Sequence, residues 1–330
     1  MSASSEGHKL SDDDKALPFQ LDALGVRGRL VRLGPALDAV IERHGYPLAV
    51  ARPLAEAMVL CAALATSLKY DGIFTLQISG DGPIRLLVTD LTTDGALRGY
   101  AQFDSWKLAI ALGGAADAPE GYVPRLFGRG RLAFTVDQGQ HTERYQGVVP
   151  LEGGTLADCA HTYFRQSEQL PTGIKIAARR DEQDGANGRK EGRWHAAALM
   201  VQQMPEFDAG RMANDGLGVD REQREEDFRK AVVLMASATE KEMLDPALPG
   251  DTLIHRLFHE DRPRRFEPRP FVARCRCNRE RIDRVLRSLK RDELNDLRDK
   301  RGLVSVKCEF CSTEYNYDDE DLDRIYASAA

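Results

Sequence analysis

FTLQISGDGPIRLLV, residues 74–88, is the stretch from which the architecture is read. Phe74, Leu76 and Ile78 alternate with polar residues, and Ile84, Leu86 and Val88 repeat the period, less cleanly because Leu87 is also apolar. A period of two puts alternate side chains on one face, and SGDGP between the runs supplies the turn of a β-hairpin. On its N-terminal side, residues 54–68 are apolar nearly all round, the pattern of a buried central helix, and Leu37, Val40 and Ile41 fall at helical spacing within 35–44. On its C-terminal side, Leu132, Phe134 and Val136, then residues 145–149, read as further strands. Thr155 opens another helix, with its hydroxyl placed to cap free amides and Asp158 at the capping-box position. Leu156, Cys159, Ala160, Tyr163 and Phe164 share that helix's inward face, and extended patterns return at 172–178 and 194–204 around a polar loop, 179–192. Hairpins interrupted by helices predict an α+β fold class, with a mixed α/β domain over residues 16–205 built on a hairpin-rich sheet and buried helices.

The character of the chain changes at Pro205. Half of residues 206–231 are charged, and the anchors are few: Phe207, Met212, Leu217, Val219 and Phe228. A helix over 221–238 with Phe228, Val232 and Met235 on one face is expected, followed by a short apolar patch, 253–258, and the run DRPRRFEPRPF. Sparse anchors make residues 206–270 a weakly stable helical linker. Beyond it, 271–274 reads as a short strand, Asn278 as the cap of a helix with Ile282, Val285, Leu286 and Leu289 inward, and Asp292 as the start of a second short helix that Gly302 ends. Val304, Val306, Cys308 and Phe310 alternate as a strand, and Leu322, Ile325 and Tyr326 mark a last helix.

Four of the six cysteines lie in this last module, as Cys275-Arg276-Cys277 and Cys308-Glu309-Phe310-Cys311. Two close pairs separated by 30 residues offer the four soft ligands that tetrahedral zinc accepts, so Cys275, Cys277, Cys308 and Cys311 are the candidate ligands and Zn2+ the expected cofactor. The CxC spacing also puts two sulfurs on one face of an extended segment, close enough to share a metal or to oxidise to each other. A module of residues 271–330 has little core, and metal binding is the expected source of its folding energy. Cys61 and Cys159 read as core residues.

The composition, 42% hydrophobic and 30% charged over 330 residues, is that of a soluble protein, and the longest apolar run, 58–65, is too short to span a bilayer. Residues 1–15 lack an apolar signal region and read as a disordered polar tail, so a cytoplasmic location without a membrane partner is expected. In that reducing compartment, clustered cysteines bind metal or carry redox chemistry. The net charge of −6 argues against general nucleic-acid affinity, yet residues 262–301 carry 15 Lys or Arg against 7 Asp or Glu, which keeps a constitutive zinc module that binds nucleic acid as the alternative. No constellation supports an enzyme. His255 and His259 lack the Glu of a metalloprotease pair, SGDGP and GRGRL read as turns rather than phosphate-binding loops, and no thioredoxin-like context surrounds Cys308.

Three further blocks accompany the cysteine pairs: SLKYDGIFTLQISGDGP (67–83), ERYQGVVPLEGGTLADC (143–159) and YFRQSEQLPT (163–172). Together with VKCEFCSTEYNY (306–317), and in this order, the chain resembles the redox-regulated heat-shock chaperones of bacteria, the disulfide-activated holdases. That resemblance implies an α/β N-terminal domain, a metastable helical linker and a zinc domain held by Cys275, Cys277, Cys308 and Cys311. It implies an inactive, reduced, zinc-bound monomer. Oxidation then forms Cys275–Cys277 and Cys308–Cys311, zinc leaves, the linker unfolds, and a homodimer binds unfolding client proteins without ATP. The loop at 179–192 and the run at 261–270 are longer or more charged than this pattern leads one to expect.

Overall fold

The structure, a computed structural model, describes residues 13–118, 120–139, 144–165, 170–184, 190–205 and 221–327. Most of the expected polar tail and residues 206–220 of the expected linker lie outside the described residues. The chain runs through β1 (Lys15–Leu21), β2 (Val26–Leu33), α1 (Pro35–Ile41), α2 (Leu48–Ala65), β3 (Ile73–Gly80), β4 (Ile84–Thr92) and β5 (Ala96–Phe103). Next come α3 (Ser105–Leu112), α4 (Val123–Leu126), β6 (Gly130–Asp137), β7 (Tyr145–Pro150), α5 (Leu156–Tyr163), β8 (Thr172–Asp184) and β9 (Lys190–Gln203). Helices α6 (Arg221–Ser237), α7 (Glu240–Leu244) and α8 (Gly250–Phe258) follow, then the two-residue strands β10 (Arg264–Arg265), β11 (Arg269–Pro270) and β12 (Val272–Ala273). The C-terminal part holds α9 (Arg279–Arg287), α10 (Arg291–Asn295), β13 (Val304–Lys307), β14 (Glu314–Tyr317) and α11 (Asp319–Ala327).

The hairpin read from residues 74–88 is β3–β4, antiparallel, with Phe74 opposite Leu91 and Ile78 opposite Leu87. It is the centre of the second sheet, ordered β12-β5-β4-β3-β6-β7; the first sheet, formed by the strands at the start of the chain, runs β10-β1-β2-β9-β8 with β11 also on β1. Helix α2 lies between the two sheets. One cluster joins its buried residues to Val31, Leu33, Ala198 and Met200 of one sheet and to Leu76, Ile78, Leu87 and Leu91 of the other. The helix starts at Leu48, six residues before the all-apolar stretch, because Arg52 and Pro53 interrupt the pattern without ending the helix. At 18 residues it is long and apolar enough to cross a membrane, as residues 58–65 alone were not, but 83% of it is buried inside the protein.

The capping box expected at Thr155 is present, with Thr155 Oγ1 accepting from the Asp158 amide and the Asp158 carboxylate accepting from the Thr155 amide. The polar loop expected at 179–192 is mostly strand. The β8–β9 ladder continues to Asp184 opposite Lys190, since backbone pairing does not depend on which side chains it carries.

Helices α6 to α8 cover the outer face of the first sheet. Ala231, Met235, Met243, Leu244, Leu253, Ile254 and Phe258 pack there on Leu17, Phe19, Leu21, Leu30, Leu199 and Val201, with the Phe258 ring 5.3 Å from that of Phe19. Gly28 makes room for Phe19, whose ring would lie 2.2 Å from any Cβ placed there. Buried Arg32 reaches from β2 to donate to the Leu248 carbonyl at 2.6 Å and the Glu242 carbonyl at 3.0 Å. The proline-rich run is held as well: β10 and β11 pair antiparallel with β1, and β12 pairs parallel with β5. Residues 264–273 therefore form a ribbon along one edge of each sheet.

The C-terminal part has its own small cluster of Leu286, Leu294, Val304, Tyr317, Leu322 and Ile325. Asn278 caps α9 through the Arg281 amide, as its position suggested. Two expectations are corrected here. The helix at Arg291 stops at Asn295, and Gly302, at φ 78°, closes the later turn in which its amide donates to Asp299. The strand expected over 304–310 ends at Lys307, because the second cysteine pair sits in a tight turn.

Candidate metal centre

Ribbon strand β12 delivers the first pair and the β13–β14 turn the second. The turn is closed by the Cys308 amide donating to the Thr313 carbonyl at 2.9 Å and the Ser312 amide donating to the Cys308 carbonyl at 2.8 Å, with Ser312 left-handed at φ 58°. This folding back aims Cys308 and Cys311 at the same point. The four Sγ atoms of Cys275, Cys277, Cys308 and Cys311 lie within 4.8 Å of one another. Cys275 and Cys308 sulfurs are 3.8 Å apart and those of Cys277 and Cys311 3.3 Å. An ion held tetrahedrally by sulfurs at about 2.3 Å has them about 3.8 Å apart, so the described geometry fits such an ion. Fit is further supported by donors around the sulfurs. The Tyr315 hydroxyl donates to Cys277 Sγ at 3.2 Å, the Cys277 amide to Cys275 Sγ at 3.5 Å, and Arg98 Nη1 lies 3.8 Å from Cys275 Sγ. Such donors orient ligating thiolates and spread their charge.

The thiols differ in acidity. Burial and the neighbouring thiols push Cys277 up to about 12. Cys311 is drawn down to about 6, the hydrogen bonds of the Thr313 hydroxyl and amide outweighing the effect of burial. Cys61 and Cys159 lie apart from this centre, both fully buried, with burial raising the thiol of each. His255 and His259 face each other at 6.0 Å between ring centroids on α8 and its end, away from the cysteines.

The centre is built against the second sheet. In β4, Leu87 and Leu91 face α2, so Val88 and Asp90 occupy the opposite, outer face. Asp90 is nonetheless only 3% exposed. It accepts from Arg98, its cross-strand partner on β5, and from Arg276, which stands between the first two cysteines. Phe310, between the second two, lies under the Arg98 guanidinium at 3.7 Å and edge-on to Tyr100 at 4.7 Å, and its carbonyl is 3.2 Å from His44 Nε2. The sequence alone does not point to Asp90, Arg98 or His44, and offers Phe310 only as part of an alternating strand pattern. A lone Asp in an alternating strand reads as solvent-facing, and nothing local says that another part of the chain will sit on it.

The basic segment is largely compensated. Among the described residues, Arg264, Arg265, Arg274, Arg276, Arg279, Arg291, Arg298 and Arg301 each pair with an Asp.

The family model described as Hsp33 protein matches residues 14–318. A 33 kDa chaperonin of Caulobacter vibrioides is 39% identical over 311 residues, covering 93% of this chain and 95% of that protein. One from Pseudomonas aeruginosa is 35% identical over 323 residues, 97% of each. The crystal structure of the 33 kDa chaperonin, a heat shock protein 33 homolog, from Thermotoga maritima superposes with a TM-score of 0.73 at 24% identity, covering 96% of this chain and 99% of that one. A match to the family over nearly the whole length, together with the fold and the four converging cysteines, identifies the chain as a member of the Hsp33 family of heat-shock chaperones.

Proposed function

We propose that this chaperone is a redox-regulated, ATP-independent holdase, inactive when reduced and zinc-bound and activated when its four clustered cysteines are oxidised. The observation that carries the reading is the convergence of four sulfurs, from two distant segments, within 4.8 Å in a member of a chaperone family. Zinc, when bound by Cys275, Cys277, Cys308 and Cys311, ties the end of the ribbon to the β13–β14 turn and supplies folding energy to a module whose core is six buried residues. Each pair of thiols gives two electrons and two protons to a peroxide, which leaves as water, and one disulfide forms per pair. Assignment of those disulfides as Cys275–Cys277 and Cys308–Cys311 follows the family likeness. Every sulfur reaches the other three, and the 3.8 and 3.3 Å contacts run across the pairs.

Two strongly bound parts of the module then lose their common anchor, and the segment at 206–270 unfolds. Departure of α6 to α8 uncovers Leu17, Phe19, Leu30, Leu199 and Val201, an apolar face fit to hold unfolding proteins and to support a homodimer. The location proposed is the cytoplasm, where a thiol switch starts from the reduced state. The alternative, a nucleic-acid-binding zinc module, loses its motivating feature because Asp side chains compensate much of the basic segment.

The test measures metal release and client protection together. Peroxide with mild warming should release one zinc per chain and turn on suppression of aggregation of a denatured client, with peptide mapping showing a disulfide within each pair. Equal protection by reduced and oxidised protein would sink the switch.

A further inference from the structure

We propose that Asp90, Arg98 and Arg276 form a latch that fastens the cysteine module to the outer face of the second sheet, with Arg98 the positioning residue for Cys275 and Phe310. The inference rests on the reduced, metal-bound state proposed above. Asp90 and Arg98 face each other across β4 and β5. The Asp90 side chain, 4% exposed, accepts from Arg98 Nε at 3.1 and 3.0 Å and lies 2.9 Å from Arg98 Nη2. The same carboxylate accepts from Arg276 Nη2 at 2.9 Å. Arg98 keeps its remaining nitrogen, Nη1, 3.8 Å from Cys275 Sγ and its plane over Phe310 at 3.7 Å. One guanidinium rooted in the sheet thus touches both cysteine segments, and the carboxylate that holds it also holds the residue inside the CxC.

Asp90 is the shared element: without Arg276 it stays paired one-to-one with Arg98 in the sheet, whereas without Asp90 the two guanidinia would face each other with no counter-charge between them. A displacement of Cys275 carries Arg276 with it and withdraws the sulfur from Arg98, so a change at the centre is felt at β4–β5 before any core residue moves. Asp90 faces away from α2, and the side chains that lie on its carboxylate are Arg98 of β5 and Arg276 of the module.

The experiment uses the full-length, reduced, zinc-loaded protein. Arg276→Met removes the module's half of the latch and leaves the Asp90–Arg98 pair in the sheet. Arg98→Lys keeps the charge and loses the planar fork and the stacking on Phe310. Hydrogen exchange is read at the amides of Val272 and Arg274, which donate to Gly95 and Leu97 carbonyls at 2.9 and 3.1 Å. Both variants should exchange there about tenfold faster than the parent, with α2 and β3 unchanged, and should release zinc to peroxide correspondingly faster. Unchanged exchange at 272–274 in both variants overturns the latch, as does acceleration spread evenly over α2 and β3, which would mark a general structural role. If the parent keeps its zinc under peroxide, the redox reading fails, while the exchange result still decides the latch.

Discussion

Glu56 is a carboxyl placed in α2, the helix packed between the two sheets. The Tyr122 hydroxyl donates to it, and Arg52, paired with Asp117 at 3.2 Å, lies alongside. Burial nevertheless raises its pKa from 4.5 to about 7, against the lowering effect of the Tyr122 bond. A carboxyl that binds its proton more tightly in the folded than in the unfolded chain costs stability as pH rises. Nothing is lost below about 4.5, and the cost grows through the window up to about 7. The residue keeps some solvent access, so the loss is on the order of 1 kcal/mol rather than what the full shift implies. Denaturant midpoints at pH 5 and pH 8 check this: Glu56→Gln should flatten that part of the pH dependence, and an identical pH slope in both proteins would refute the assignment. The acid stands in the sequence RPLAEAMVL, where it reads as one polar residue on an apolar helix. Its hydrogen-bond partner is Tyr122, the residue before α4, which is too distant in sequence to foresee.

At the scale of elements, what could be read was whatever is decided within a few residues. Thr155 with Asp158, and Asn278 ahead of α9, cap their helices as expected because a cap is made with amides two or three positions on. The strand pattern of Val304, Val306, Cys308 and Phe310 runs on past Lys307, where the strand ends, because alternation does not reveal that the backbone folds back there to bring two sulfurs together. The linker region was legible as helical but not as docked. Helix α6 presents few apolar residues, and the surface receiving them belongs to β1, β2, β8 and β9. Phe258 is the largest anchor of α8 and is fully buried. Phe258→Ala should cost about 3–5 kcal/mol at that site. Because α6 to α8 pack in a cluster of their own, the loss should appear as faster limited proteolysis within 221–258 while α2 keeps its exchange protection. Equal protease resistance to the parent protein would show that this face does not depend on Phe258.

For the whole molecule, the three apolar clusters of the described residues, with different sources of stability, imply graded behaviour. The clusters around α2 and beneath α6 to α8 pack on the two large sheets, whereas the small C-terminal cluster has only the β13–β14 hairpin and the helices around it, next to the cysteine centre. Chelation of the metal from reduced protein should therefore open the C-terminal part first. Alkylation with iodoacetamide and peptide mass mapping will show it: Cys275, Cys277, Cys308 and Cys311 should modify after chelation, and Cys61 and Cys159 only in denaturant. Modification of Cys61 at the rate of Cys277 would mean that the body opens with the module. The order of these events was implicit in the clustering of four cysteines at one end of the chain, but not where that end is fastened.

The ribbon at 264–273 gives that fastening a second meaning. Among the described residues, strand β1 has no neighbour on its outer side except β10 and β11, and β5 none except β12. A strand without a neighbour presents free amides and carbonyls in a row, the template on which another extended chain can add itself. Ten residues of the protein's own sequence thus act as a removable selvedge on two sheets. Peeling them away would turn a closed molecule into one with two open β-edges, placed where chains that have lost their own structure could be gathered in.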